Sequence, residues 1–231
     1  MLKELQNNLQ KLANPNQAKL LQRFFKTAKG EYGEGDIFLG LKVPQLRVLA
    51  KKYMSLSLND VQIMLNGKFH EYRMTGLLIL VYKYKKADAK LKTDIYNLYI
   101  KNYNNINNWD LVDVTCPHIV GDYLLNKDRK ILYQFAKSNH LWKKRIAMIT
   151  CLAFIREKDF TDIIKLADIL LHDQHDLIHK AVGWMLREAG KHDQKLLEAY
   201  LNRNYKTMPR TMLRYAIEKL PESKRQHYLR K

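Results

Sequence analysis

The sequence contains little of what marks a secreted or a membrane protein. Among its 231 residues there are two cysteines, Cys116 and Cys151, which form neither a CxxC pair nor a disulfide framework. This usage is typical of a reduced compartment, so we expect a cytoplasmic protein of the bacterial cytosol or nucleoid. The first residues contain no apolar signal-peptide core, and no apolar run is long enough to cross a bilayer. We therefore expect no membrane association.

Acidic residues are scarce relative to basic ones. The chain has 23 Asp and Glu against 41 Lys and Arg, a formal net charge of +18. Such an excess favours a polyanionic partner, with nucleic acid ahead of an anionic membrane. Apolar residues make up 46% of the chain, which predicts a packed core rather than global disorder.

Proline is also scarce, and no segment alternates as a half-buried β-strand does. The five prolines can all lie at helix starts or in connections. Apolar residues recur at helical spacing, as in the stripe Phe160, Ile163, Ile164, Ala167, Leu170 and Leu171. Ser57 with Asp60 resembles a capping box, and Gly67 follows the end of the helix it would start. The sequence therefore predicts an all-α protein.

The chain repeats itself with a period of about 35 residues. A basic residue opens an apolar run at intervals of 72, 35 and 34 residues, at Arg73, Arg145, Lys180 and Arg214. The middle of the long interval falls on Trp109. A repeat of this length accommodates two helices, and such pairs stack into a curved α-solenoid. We expect one domain covering residues 1–231.

These five positions form what we call the repeat column, and the residues four positions later lie on the same helix faces. The later residues are Leu77, Asp113, Ile149, Trp184 and Glu218. The basic members favour a column that faces a groove, because an unpaired buried charge is costly. Leu77 and Ile149 favour a column that faces the core. The spacing leaves both alternatives open.

The phrase NNWDLVD, residues 107–113, contains two carboxylates with different expected roles. Asn107 is a plausible N-cap, and Asp110 would then lie at the reciprocal capping position. Asp113 lies one turn further along, on the same face as Trp109, where capping does not explain it. A salt bridge to a neighbouring Lys or Arg is the alternative to a functional role.

Three other features have structural interpretations. The glycine-rich loop 30–36 is not an ordered GxGxxG, and its acids would repel phosphate, so we expect a turn. His172, His175 and His179 lack the partners of a metal site and indicate a polar helix start. We expect Trp142 to pack in the core, and Lys143 and Lys144 to face solvent or phosphate.

Four phrases of the chain resemble the AlkD family of DNA alkylation repair glycosylases. They are GEYGEGDIFLGLKVPQLR (30–47), NNWDLVDVTCPHIVG (107–121), LWKKRIAM (141–148) and KAVGWMLRE (180–188). The resemblance implies a HEAT-like solenoid that holds duplex DNA in a basic concave groove. It implies hydrolysis of the N-glycosidic bond of cationic N3- or N7-alkylated purines. We expect the protein to act as a monomer without metal or cofactor.

The resemblance also implies roles for individual residues. Asp113 matches the catalytic carboxylate, and Trp109 and Trp184 match aromatics that contact the sugar-phosphate of the lesion. Arg145 matches the basic residue close to the DNA backbone. The other residues expected to contact DNA are Lys180, Arg73, Lys144, Arg187 and Arg214, with an N-terminal aromatic from Phe24, Phe25 or Tyr32. This aromatic departs from the family pattern, since neither residue 24 nor residue 25 is a tyrosine.

The implied chemistry agrees with these residue types. A cationic purine is a good leaving group, and a carboxylate stabilises the oxocarbenium ion left on the sugar. The alternative function is a non-catalytic helical-repeat protein that binds DNA or RNA. Asp113 discriminates between the two, because a pure phosphate binder gains nothing from a carboxylate.

Overall fold

The computed structural model describes residues 1–230, and within them every extended regular element is helical. The only strand-like pairing in these residues is an isolated bridge between Ile37 and Phe69. The helices are α1 (Leu2–Lys11), α2 (Pro15–Phe24), α3 (Val43–Lys52), α4 (Leu58–Leu65), α5 (His70–Lys86), α6 (Ala89–Lys101), α7 (Trp109–Asp113), α8 (Asp122–Leu124), α9 (Lys130–Ala136), α10 (Leu141–Arg156), α11 (Thr161–Leu170), α12 (Asp176–His192), α13 (Gln194–Asn204), α14 (Arg210–Ala216) and α15 (Glu222–Leu229), with a π-helical turn at Pro117–Gly121. The predicted all-α class is confirmed.

The helices follow the repeat that the sequence predicts. Each residue of the repeat column lies on the second helix of a pair, close to its start. The pairs are α4 with α5, α6 with α7, α9 with α10, α11 with α12, and α13 with α14. This succession of helix pairs agrees with the predicted α-solenoid of HEAT-like repeats.

The chain divides into two compact units: unit 1 is Met1–Tyr123, and unit 2 begins at Leu124. That residues 1–231 act as a single domain stays a prediction. In unit 1, α5 is central and packs on α1, α3, α4 and α6. Its residues Leu77–Leu80 are fully buried, which explains why the middle of this helix is apolar on all sides.

In unit 2, α12 is central and packs on α10, α11, α13 and α14. Gly183 allows α14 to approach closely, because a Cβ at this position would lie 2.4 Å from the carbonyl oxygen of Met212. The stripe that predicted a helix from Phe160 supplies the buried face of α11. Trp142 is buried, which confirms its predicted packing role.

Most local start and stop signals are confirmed. Ser57 and Asp60 form the capping box of α4, and Gly67 directly follows its C-cap. The five prolines lie at helix starts or N-caps. The predicted N-cap of α7 is wrong by one residue: Asn108, not Asn107, accepts the backbone N–H of Trp109 at 2.9 Å.

A buried carboxylate shapes the long loop between α2 and α3. The two oxygens of Glu71, in the first turn of α5, accept the backbone N–H groups of Leu39, Gly40 and Leu41 at 2.8 to 3.1 Å. Gly40 has a φ of +94°, and a Cβ there would lie 2.2 Å from the carbonyl oxygen of Asn14. Only glycine fits this position. The loop is thereby fastened between α2 and α5.

Two further properties bear on the sequence expectations. Cys116 and Cys151 are buried and form no disulfide. Within residues 1–230, no helix has both the length and the apolar character needed to cross a bilayer.

Candidate functional site

Trp109 and Asp113 lie at the two ends of α7, a helix of five residues. Their i, i+4 spacing places both side chains on one face. Both are half-buried, so each retains access to solvent while it packs against unit 1. The structure therefore presents a tryptophan and a carboxylate together, as the repeat spacing predicts.

The ring of Trp109 packs against the end of α2. It stacks on Phe25, with centroids 5.1 Å apart, and meets the edge of Phe24 at 5.8 Å. Phe24 is 62% exposed, whereas Phe25 is 7% exposed. Phe25 therefore packs beneath Trp109 in the interior, and its contact with DNA stays a prediction. Phe24 is the N-terminal aromatic beside Trp109 that solvent reaches.

Asp113 lies next to a buried polar group of the core. Tyr99 is fully buried, and its hydroxyl hydrogen-bonds to Thr115 at 3.1 Å. Burial first, and then the nearby Cys116 and Asp113, hold the pKa of Tyr99 well above its usual value. Asp113 is itself half-buried, so solvent screens its carboxylate less than it would at an open surface.

The other carboxylate of the phrase, Asp110, is buried and belongs to a charge network with α5. His70 Nε2 lies 2.9 Å from Asp110, and His70 Nδ1 lies 2.9 Å from Asp36. Arg73 Nη2 donates to the second oxygen of Asp36 at 2.5 Å. We call Asp36, His70, Arg73 and Asp110 the buried charge network. It joins the loop before α3, helix α5 and the start of α7.

Aromatic rings cover one side of this network. Phe38 stacks on the imidazole of His70 with centroids 4.4 Å apart, and Phe25 lies 5.1 Å from Phe38. Phe25 also stacks on Trp109. A continuous set of rings therefore runs from the buried histidine to the half-exposed tryptophan. An apolar cavity of about 160 Å³ lies beside these rings and is lined in part by Phe24, His70 and Asp110.

The network perturbs the pKa values of its members. Burial alone would lower the pKa of His70, but the charges and hydrogen bonds of Asp110 and Asp36 outweigh it and raise the pKa to about 9. Burial likewise opposes ionisation of Asp36, but His70 and Arg73 prevail and lower its pKa. His70 is therefore a cation at neutral pH.

Asp110 consequently has more than the capping role predicted for it. One oxygen does accept the backbone N–H of Leu111, at 2.8 Å, in the first turn of α7. The other accepts from His70, and Asp110 makes no reciprocal bond to an Asn107 N-cap. His70 and Asp36 are the residues that the sequence reasoning missed. Their separation along the chain leaves no local signal, although Asp36 ends the loop 30–36, which the sequence predicts to be a turn.

The repeat column is not uniformly exposed. Arg73 is 6% exposed, and besides Asp36 it donates to the carbonyl oxygens of Gly67 and Lys68. Arg145 is 4% exposed and donates to the carbonyl oxygen of Leu177 at 2.6 Å. That Arg73 and Arg145 contact DNA stays a prediction, since in this structure both side chains are covered by the protein. Both guanidinium groups are engaged by buried acceptors, so the core-facing alternative holds for α5 and α10.

Other predicted cations of unit 2 lie at or near the surface, most of them in ion pairs. Lys144 contacts Asp173 at 2.6 Å with a side chain 22% exposed, so it is less solvated than predicted. Lys180 contacts Asp176 at 2.7 Å, and Arg187 pairs with Glu218. Arg214 is exposed. These side chains lie on α10, α12 and α14.

The remaining candidates are placed as follows. Trp184, on α12, is half-buried and donates from Nε1 to Glu188 at 3.1 Å. Tyr32 is half-buried in the loop before α3. His175 is the N-cap of α12, which confirms the predicted polar helix start. Within residues 1–230 no group of three or more His, Cys, Asp or Glu side chains is arranged to hold a metal ion.

Comparison with known proteins places the chain in a family. The model of the DNA alkylation repair enzyme family matches residues 5–220, nearly the whole chain. A solved structure described as a predicted DNA alkylation repair enzyme from Enterococcus faecalis is similar, with a TM-score of 0.71 at 16% identity. The match covers 91% of this chain and 97% of that one. At 16% identity, this similarity is evidence for the fold alone. No curated protein matches. The chain belongs to the family of DNA alkylation repair enzymes.

Proposed function

We propose that this protein is a DNA glycosylase that hydrolyses the N-glycosidic bond of cationic N3- or N7-alkylated purines in duplex DNA. The observation that carries the proposal is the pairing of Trp109 with Asp113 on one face of α7. Membership in the DNA alkylation repair family supports alkylated DNA as the substrate. The formal charge of +18 agrees with a DNA partner.

The proposed reaction breaks the bond between C1′ of the deoxyribose and the ring nitrogen of the base. The bonding electrons leave with the purine, which thereby loses the positive charge that alkylation gave it. The sugar is left as an oxocarbenium ion, and water adds to C1′. The proton lost by that water passes to Asp113 or to solvent. The leaving group needs no general acid, because it departs neutral.

Asp113 is proposed to stabilise the sugar cation. At about 4 Å and an effective dielectric of about 20, a carboxylate attracts such a cation by about 4 kcal/mol. If this attraction arises only in the transition state, it corresponds to roughly 10³ in rate. The half-buried setting of Asp113 beside the Tyr99 core favours the lower effective dielectric.

Aromatic faces are proposed to flank the reacting nucleotide. Trp109 rests on Phe25 and Phe24, so its ring is held by packing rather than by flexible polar contacts. A tryptophan face attracts a developing cation, and it excludes water from the sugar. Trp184 is proposed to contact the sugar-phosphate as well, and its bond to Glu188 orients the indole.

The DNA backbone is proposed to bind to the surface cations of unit 2. Lys180, Arg187 and Arg214 lie on α12 and α14, and the first two are held in surface pairs that a phosphate can replace. Each phosphate neutralised releases counterions, so this binding is independent of sequence and weakens with salt. We propose that the protein acts as a monomer on its DNA substrate.

The decisive test is release of free base from methylated duplex DNA by the purified protein. Methylated DNA is incubated with the protein, and 3-methyladenine and 7-methylguanine are quantified against the spontaneous loss without protein. The proposal expects release well above that background. Binding of the same DNA without release of either base would favour a non-catalytic nucleic-acid-binding repeat protein, the alternative that the net charge alone would allow.

A further inference from the structure

The buried charge network contains a histidine that the proposed reaction does not use. His70 bridges two carboxylates, Asp36 and Asp110, at 2.9 Å on each side. Both carboxylates are buried, so neither contact is an incidental surface pair. A carboxylate oxygen only accepts, and therefore both ring nitrogens must donate. Only the imidazolium form carries a proton on each nitrogen.

The two carboxylates belong to different parts of unit 1. Asp36 lies at the end of the loop 30–36, whereas Asp110 is the second residue of α7. Since α7 has only five residues, it lacks the length to be stable alone. Its position depends on what holds its first turn. Asp110 is the buried charged residue of that turn, and His70 is its partner on α5.

We propose that His70 is a positioning residue of the candidate site: its imidazolium ties the first turn of α7 to α5 and the loop before α3, and so holds Trp109 and Asp113 in their working orientation. The inference rests on the proposed function for its effect on rate. The ring contacts support it, because Phe38 stacks on His70 and Phe25 lies between Phe38 and Trp109. A displaced His70 would disturb Trp109 from two sides.

The charged groups around His70 determine the pH at which its imidazolium loses a proton and with it one of the two hydrogen bonds to Asp36 and Asp110. Asp36 faces it from the loop and Asp110 from α7. On α5 itself, Arg73 is held by Asp36, and Glu71 is occupied by three backbone N–H groups of the loop. The α2 side presents the uncharged ring of Phe25. A neutral imidazole has one N–H, so deprotonation leaves one carboxylate facing a lone pair.

The test begins with the free protein and needs no variant. Nitrogen NMR of His70 at neutral pH is expected to find both ring nitrogens protonated, with loss of a proton at about pH 9. The indole N–H signal of Trp109 is expected to move with the same midpoint. A single protonated nitrogen at neutral pH, or a Trp109 signal that does not follow the titration, would overturn the inference.

Activity supplies the second part of the test. The Asp110→Asn change keeps an acceptor for His70 but removes the charge that raises its pKa. In this variant kcat for base release is expected to decrease above a certain pH, by about tenfold per pH unit. The midpoint of this decrease is expected at a lower pH than in the wild type, and KM is expected to change little. A His227→Gln variant, which alters an exposed histidine of unit 2, serves as the matched control.

The two parts separate the possible failures. If the wild type releases no base, the proposed glycosylase function fails, while the NMR titration still decides whether His70 holds Trp109. If base is released but the alkaline limb of Asp110→Asn coincides with that of the wild type and of His227→Gln, the positioning role is refuted. A purely structural role would lower stability without moving that limb.

Discussion

Unit 1 and unit 2 are built from the same kind of helix pair but treat their charges differently. Unit 1 buries Asp36, His70, Arg73 and Asp110 in one network. Unit 2 keeps most of its ion pairs at the surface, as between Arg203 and Asp168. The repeat column does not divide in this way, since Arg73 of unit 1 and Arg145 of unit 2 are both buried, whereas Arg214 is exposed.

The difference in burial indicates a different role for the charged residues of each unit. A buried pair holds its geometry strongly, because removal of one partner leaves an uncompensated charge in the interior. A surface pair contributes little and exchanges readily for another anion. The buried charges of unit 1 therefore suit the positioning of α7, with Trp109 and Asp113. The surface cations of unit 2 suit the exchangeable binding of phosphates.

The largest effect on stability is expected from an arginine of the network. Arg73→Met removes the partner of Asp36 and leaves the carbonyl oxygens of Gly67 and Lys68 without their donor. The free energy of unfolding is expected to fall by about 3 to 5 kcal/mol. Urea denaturation followed by circular dichroism measures this change.

The matched control lies in unit 2. Arg203→Met breaks an exposed pair with Asp168 and is expected to cost under about 1 kcal/mol. Equal losses in the two variants would remove the distinction between buried and surface charges on which the comparison of the units depends.

The next effect is a pH dependence of stability that arises in unit 1. Because the folded pKa of His70 is about 9 and the ordinary value is 6.5, its contribution is complete below about pH 6.5 and is lost as pH rises through 9. The change amounts to a few kcal/mol. Urea midpoints measured across this range test the prediction.

The Asp110→Asn variant sharpens that measurement. It removes the charge of Asp110 that raises the His70 pKa, so the loss of stability should begin at the same pH as in the wild type, end at a lower pH and be smaller in total. A wild-type stability that stays level as pH rises from about 6.5 to about 9 would mean that His70 folds as a neutral residue.

The smallest effect is expected from single surface cations of unit 2. Arg214→Ala and Lys180→Ala each remove one cation from the surface proposed to bind phosphate. Each should weaken binding of duplex DNA modestly and reduce the slope of log K against log salt by about 0.9. Binding measured by fluorescence anisotropy at several salt concentrations gives the slope.

The control variant is Lys130→Ala, which removes one positive charge at an exposed site on α9 outside the proposed DNA contact. Slopes equal to that of the control would exclude these two residues from the DNA contact.

Much of the fold follows from local sequence signals. The period of about 35 residues predicts the helix pairs, because each pair contributes one apolar run in fixed register. The capping box of Ser57 and the positions of the prolines also predict helix boundaries, since these effects act within one turn. The shared face of Trp109 and Asp113 follows from their spacing on one helix.

The charge network could not be predicted in this way. His70 meets Asp110 across 40 positions of the chain and Asp36 across 34, and no local pattern encodes such a contact. The same limit applies to Arg73 and Arg145, because the repeat spacing left open whether these residues face a groove or the core. A repeat fixes where a residue lies along its helix, but the neighbouring elements decide whether that position is covered. Phe24 and Phe25 differ in exposure for the same reason. These consecutive residues point in different directions at the end of α2, so that Phe24 faces solvent and Phe25 faces the core.

The most direct test of the account is the rate of base release by Asp113→Asn. Single-turnover release from methylated duplex DNA is compared among the wild type, Asp113→Asn and Asp94→Asn, which removes an exposed carboxylate of α6. The account predicts that only Asp113→Asn loses roughly 10³ in rate, with DNA affinity retained. Release by Asp113→Asn at the wild-type rate would contradict a catalytic carboxylate on α7.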